Sequence, residues 1–206
     1  MSTTAAPSTA TKRGRPGHDQ ASVLRTSVEV FNKHGYEAAS MGLLAQALGI
    51  SKSAIYHHVP SKEELLRLAL EEALGGLEGV LLLDGARSGA PNERLEFVLR
   101  GMVGVLVDRL PFVTLLLRLR GNTEMEREAM NRRRAFDRTI TALVTEAQQA
   151  GTLRADIAAG TITRLLFGTI NSIVEWYKPG GHLSAKKLAD DVLVLSFQGL
   201  LGSGTA

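Results

Sequence analysis

At 206 residues, 44% of them apolar and with a net charge of +3, the chain is long enough to bury a hydrophobic core. It has no cysteine, which excludes disulfides, thiolate zinc sites and cysteine nucleophiles. No apolar run reaches the roughly 18 residues a membrane span needs, so a soluble cytoplasmic protein is the simplest expectation.

Residues 1–17 are rich in Ser, Thr and Ala, lack the apolar block of a secretory signal, and read as a disordered basic tail. Residues 1–62 carry seven Lys/Arg (Lys12, Arg13, Arg15, Arg25, Lys33, Lys52, Lys62) against three acids (Asp19, Glu29, Glu37), while the remainder balances to −1. The basic excess therefore sits at the N-terminal end, a weak pointer to a polyanionic partner there.

Nothing reads as a strand and helical periodicity runs throughout, so the expected fold class is all-α. A first helix runs from the N-cap Asp19 to His34, is stopped by Gly35, and puts Leu24, Val28 and Phe31 on one face. Ser40 caps a second, short helix carrying Leu43, Leu44, Ala47 and Leu48, which ends at Gly49. Ser51 caps a third that ends before Pro60. Ser61 opens a capping box, Ser61-Lys62-Glu63-Glu64, and a fourth helix with Leu66, Ala69, Ala73 and Leu77 on one stripe. After a Gly-rich break over 84–90, Pro91 begins a fifth helix and Pro111 a sixth. A long seventh covers about 123–149, an eighth about 158–177, and a ninth, capped by Ser184, runs to about Leu201.

The segment Ser40 to Lys62 carries the chemistry. Two short helices are joined by Leu48-Gly49-Ile50-Ser51, where Gly49 can take the positive φ of a tight turn and Ile50 can plug the angle between helices. This is helix-turn-helix geometry, whose second helix enters a DNA major groove. That helix presents Lys52, Ser53, Tyr56, His57 and His58, donors suited to phosphates and base edges, and the small Ala54 allows close approach. Tyr56 is open between a core ring and a groove contact. Lys62 sits beside the free N–H groups that begin the fourth helix, an expected phosphate clamp. His57 and His58 point about 100° apart on a helix and do not share a metal ion.

The string Val30-Phe31, Gly35-Tyr36, Ala39-Ser40-Met41, Leu44-Ala45, Leu48 to Val59 and Ser61 to Leu65 resembles the N-terminal domain of TetR/AcrR regulators over about residues 19–66 without a gap. The resemblance implies a nine-helix fold, with a helix-turn-helix domain over 18–62 and a ligand-binding and dimerisation domain over 63–206. It also implies a homodimeric transcriptional repressor that binds double-stranded operator DNA and is released by a small-molecule effector. By resemblance, Lys52, Ser53, Ala54 and Tyr56 face bases, and Ser40, Tyr56, His57, His58 and Lys62 hold phosphates. Met41 and Ser51 belong to the same candidate set, and Ser40 stands where threonine is commoner. Upstream, Lys12 to Gly17 resembles the Arg-Gly-Arg-Pro core of AT-hook segments, so Arg13 and Arg15 are open between a minor-groove arm and a solvated tail.

The last two helices carry too many apolar faces for exposed amphipathic helices (Leu165, Leu166, Phe167, Ile170, Val192, Leu195, Phe197, Leu200), which leaves them open between burial against a second copy and internal core, part of each being core. An effector cavity among helices four to eight has candidate lining residues Phe97, Met102, Leu106, Phe112, Leu116, Phe136, Ile140, Phe167, Asn171 and Trp176, each open between core and ligand contact. Arg132, Arg133 and Arg134 form either a solvated face or a receptor for an anionic group. The segment Glu175 to Ser184 resembles TetR subgroups that answer to acyl-CoA thioesters, with a looser similarity to phenylacetate-pathway repressors. The expected effector is accordingly an acyl-CoA thioester, phenylacetyl-CoA or a relative. The alternative is an uncharged hydrophobic drug or metabolite sensed by an efflux-type repressor. No Gly-x-Ser-x-Gly elbow, P-loop or His-Glu-x-x-His motif is present, so neither an enzyme nor a cofactor or metal site is expected.

Overall fold

The structure, a computed structural model, describes residues 19–199. The 1–17 tail with Arg13 and Arg15, and Leu200 at the other end, lie outside the described residues. Within them the chain is entirely helical: α1 (Gln20–His34), α2 (Met41–Leu48), α3 (Lys52–His58), α4 (Lys62–Leu82), α5 (Asp84–Arg87), α6 (Pro91–Asp108), α7 (Leu110–Leu117), α8 (Glu124–Gln149), α9 (Ala159–Trp176) and α10 (Ala185–Gln198). The sequence predicts nine helices. The extra one is α5, a single turn inside the Gly-rich break, held by the buried Ala86 and by the guanidinium of Arg94, which donates to the Ala86 carbonyl at 3.1 Å.

Six of the ten helix starts have a polar side-chain cap. Asp19 accepts from the Ser22 N–H at 2.8 Å, Ser40 from Leu43 at 3.2 Å, Ser51 from Ala54 at 3.1 Å and Ser61 from Glu64 at 3.1 Å. Thr123 does the same for α8 and Ser184 for α10. Each bond satisfies an N–H that the helix cannot, which is why short polar side chains set these boundaries.

The N-terminal helices close on a small core of Val23, Val28, Phe31, Leu44, Ile55 and Val59. The stripe expected on α2 is shifted: Ala45 is buried and Ala47 is exposed. α4 then carries the chain away from this unit. At about 1.5 Å per residue it is about 30 Å long; Leu65 and Leu66 are buried near its start, and Ala73, Leu74 and Val80 farther along, where it packs against α6, α7 and α8. The α4–α6 contact is close because α6 has a glycine there: a Cβ on Gly101 would lie 2.5 Å from Cγ1 of Val80. α6 also packs on α8 and α10, and α8 on α9. Among the described residues no helix is long and apolar enough to cross a membrane.

Candidate DNA-reading surface and effector cavity

The turn between α2 and α3 is built as the spacing predicts. Gly49 lies at φ 67°, ψ 29°, the left-handed region where a Cβ is penalised. Its N–H reaches the Gln46 carbonyl, the Ile50 N–H reaches that of Ala45, and Ile50 packs half-buried on the core. Ile55 and Val59 anchor α3 from its inner side. The outer side carries Lys52, Ser53, Tyr56 and His57, with Ala54 and His58 half-buried. Tyr56 keeps 45% of its surface exposed, so the ring is not a core residue of the protomer. Lys52 and Tyr56 are four residues apart and share one face. Ser40 and Ser51 are exposed cap residues, and the Ser51 and Ser53 hydroxyls lie 2.9 Å apart. Met41 is half-buried against the core.

Lys62, read from the sequence as a phosphate clamp, is already engaged within the protomer. Its Nζ donates to the Tyr36 carbonyl at 3.0 Å and the Glu37 carbonyl at 3.5 Å, and lies 4.3 Å from the centre of the Tyr36 ring. Tyr36 in turn meets Phe31 edge-on at 5.2 Å. Lys62 thus ties the α1–α2 loop to the start of α4, and one N–H is left for another acceptor. The Tyr36 hydroxyl is pushed up to about 12 by burial and by the charges of Glu63, Glu37 and Glu126, so it stays protonated across the ordinary pH range.

In the helical body, α4, α6, α7, α8 and α9 surround an apolar cavity of about 40 Å³. It brings together six predicted lining residues (Met102, Leu106, Leu116, Phe136, Phe167 and Asn171) and one arginine, Arg133. Phe136 and Phe167 stack at 6.1 Å between centroids. Four predicted residues do not line it. Phe97 covers Gly85 of α5, Ile140 is buried in the core, Phe112 is packed half-buried outside it, and Trp176 is half exposed at the end of α9.

The three arginines separate because successive residues on a helix point about 100° apart. Arg132 turns to α4 and makes charge-assisted bonds to Glu78 (2.6 and 2.9 Å) and Glu71 (2.7 Å). Those bonds hold the Arg132 proton more firmly, and the bond from Arg132 holds the Glu71 carboxyl below its ordinary range. Arg134 points outward to the Asn131 Oδ1 at 3.0 Å. Arg133 alone enters the cavity, where it donates to the Leu116 carbonyl at 3.3 Å. Burial lowers its pKa, and burial raises that of Asp137, the next carboxylate on the same face. Asp137 was missed from sequence, although its i+4 spacing from Arg133 was legible.

Sequence reasoning also missed the link between cavity and DNA-binding unit. Asn32 of α1 donates through Nδ2 to the Pro111 carbonyl at 2.8 Å, and its own carbonyl accepts from Arg118 at 2.9 Å. Pro111 and Arg118 bracket α7, whose Val113, Leu116 and Leu117 form one wall of the cavity. Among the described residues no three His, Cys, Asp or Glu side chains gather as a metal set.

A helix-turn-helix with its second helix exposed, set by one long helix on a body that encloses an apolar cavity, defines a DNA-binding regulator of the two-domain helical class. The model of the bacterial regulatory proteins of the tetR family matches residues 23–69, and that of the tetracyclin repressor-like C-terminal domain matches residues 88–200. The chain belongs to the TetR family. A solved TetR-family regulator from Streptomyces coelicolor A3 is 51% identical, with a TM-score of 0.83 over 87% of this chain and 91% of its own. The repressor KstR2 of Mycolicibacterium smegmatis is 25% identical over 92% of this chain and 94% of its own. The structure of AibR in complex with isovaleryl coenzyme A and operator DNA is 25% identical, with a TM-score of 0.71 over 86% of this chain and 97% of its own.

Proposed function

We propose that the chain is a cytoplasmic homodimeric repressor that holds a near-palindromic operator through two copies of α3 and leaves it when an acyl-CoA thioester enters the cavity. The observation that carries the effector class is Arg133, a half-buried cation with donors to spare in a largely apolar cavity whose other charged lining groups are Glu78, already bonded to Arg132, and Asp137. An acyl group suits the apolar lining and its carbonyl suits Arg133. AibR, of similar fold, takes isovaleryl coenzyme A and operator DNA together in one structure. Arg132 is spent on Glu71 and Glu78, so of the two sequence readings of the run, a solvated face or an anion receptor, the receptor reading narrows to Arg133 within and Arg134 outside.

At about 40 Å³ the cavity admits only a few waters. An acyl group must therefore displace a wall, and α7 is the wall tied to α1. That displacement is the differential contact which ligand-driven release requires.

Calorimetry with phenylacetyl-CoA, a long-chain acyl-CoA, free phenylacetate and CoA tests the effector. We expect a thioester to bind and to relieve a gel shift on the chain's own upstream intergenic DNA. Arg133→Met is expected to weaken that binding about 10- to 100-fold, the weight of a hydrogen bond to a charged donor. Arg132→Met leaves it unchanged. Binding of neither thioester overturns the effector class; an uncharged hydrophobic ligand indifferent to Arg133 would point to the efflux-type reading.

Lys62 supplies a separate check on the DNA. Lys62→Met is expected to weaken binding to all sequences alike and to reduce the slope of log affinity against log salt by about one. An unchanged slope would confine Lys62 to the loop contacts it makes with Tyr36 and Glu37.

A further inference from the structure

α9 turns one stripe outward: Thr161, Leu165, Thr169, Ser172 and Trp176, with Gly168 beside it. Leu165 is 63% and Trp176 52% exposed. Trp176 is the single tryptophan of the chain, and an indole so exposed leaves a large apolar area in water. At the opposite end of the same helix lies a pocket of about 300 Å³, lined by Leu153, Ile157, Ile162 and Leu166, with Leu195 and Phe197 of α10 closing one side. The knob and the hole thus sit at the two ends of one helical face.

A two-fold axis brings such a pair together twice, because in an isologous contact what one copy offers the other receives. Gly168 marks the point of closest approach: nothing lies within 4 Å of where its Cβ would be, and small residues follow it on the stripe. For two α9 helices crossing antiparallel there, heights match. Trp176 lies eight residues past Gly168, about 12 Å along the axis, and Ile162 six residues before it, about 9 Å, with Ile157 farther out. Charge agrees with the antiparallel sense. Arg154 and Arg164 stand at the pocket end and Glu175 at the tryptophan end, and among the described residues neither Arg164 nor Glu175 has an ion-pair partner within the protomer.

We infer that Trp176 of each copy seats in the Leu153–Ile157–Ile162–Leu166 pocket of the other, and that this reciprocal insertion is the energetic centre of the dimer. The inference rests on the homodimer proposed above and names the residues that decide it.

The single tryptophan makes the test direct. Sedimentation of the full chain from nanomolar to micromolar concentration is run beside tryptophan emission and acrylamide quenching. The expected result is a dimer whose tryptophan is shielded, with emission moving to longer wavelength and quenching rising as dilution separates the protomers. Trp176→Ala is expected to raise the dimer dissociation constant at least about 30-fold, as central interface tryptophans do, with the helical circular dichroism of the protomer kept. Ile157→Trp, which fills the pocket without touching Trp176, is expected to do the same. A dimer whose tryptophan stays as open to quencher as in the dilute protein overturns the insertion and leaves the dimer standing. So does a dissociation constant within about threefold of wild type in both variants. A chain that stays monomeric at micromolar concentration overturns both.

Discussion

Replacing Lys52 and Tyr56 together by alanine is expected to remove specific operator binding while leaving the fold intact. The two side chains project from the exposed face of α3 one turn apart, and each good base contact is worth about 1–3 kcal/mol. Losing both lowers affinity by roughly two to four orders of magnitude, which takes a typical specific site down toward the non-specific level. The helix itself survives, because Ile55 and Val59 hold it from the buried side and Ser51 still caps it. Melting temperature and far-ultraviolet circular dichroism should therefore match wild type. Ile55→Ala makes the contrast: it touches no DNA in this arrangement, yet removing a fully buried side chain costs about 2–5 kcal/mol and loses binding by unfolding the domain. Gel shifts at fixed salt on cognate and scrambled DNA separate the two. A loss below about fivefold in the double variant would show that α3 does not read bases with these residues.

How much of this was legible in the sequence depends on whether a feature is written locally. Helix boundaries are, since caps act within three residues: Asp19, Ser40, Ser51, Ser61 and Ser184 were each read as caps and each accepts the expected N–H. The turn at Gly49 is local in the same sense. α5 was not legible because four residues carry no period, and its stability comes from Phe97 and Arg94 of the next helix. The cavity was half legible. Met102 and Phe136 line it, but Phe97 and Ile140 have the same chemistry and differ only in which face they occupy. The arginine run shows the limit most plainly. Its three side chains read alike in sequence. Their fates are set by the 100° step between neighbours and by Glu71 and Glu78, some sixty residues away on α4. Asn32 lies beyond any local pattern, because its partners at Pro111 and Arg118 are brought to it only by the packing of α1 on α7.

Substituting Asn32 by leucine together with Arg118→Met is expected to disconnect the two domains without disabling either. Asn32 is bonded from both ends of α7, by its side chain to Pro111 and by its carbonyl to Arg118. The opposite face of α7 lines the cavity, where Arg133 holds the Leu116 carbonyl. A ligand that moves α7 therefore pulls on α1, and α1 packs directly on α2 and α3. The amide is held in an expensive orientation: its Oδ1 is buried with no protein partner, which costs about 1–3 kcal/mol, while its Nδ2 serves Pro111. Such a cost is tolerated where the bond it supports has a task. Neither residue belongs to the exposed face of α3 or to the cavity lining, so operator affinity alone and effector affinity alone should each stay within about threefold of wild type. What should fall is the ratio of operator affinities without and with effector. Coupling between sites is commonly about 1–3 kcal/mol, a 5- to 150-fold ratio, and the double variant should bring it near one. Because linkage is reciprocal, effector affinity measured without and with operator must lose the same factor, which gives the experiment an internal check. A coupling ratio that survives in the double variant would move the route of communication from α7 and α1 to α4, the covalent connection between the domains.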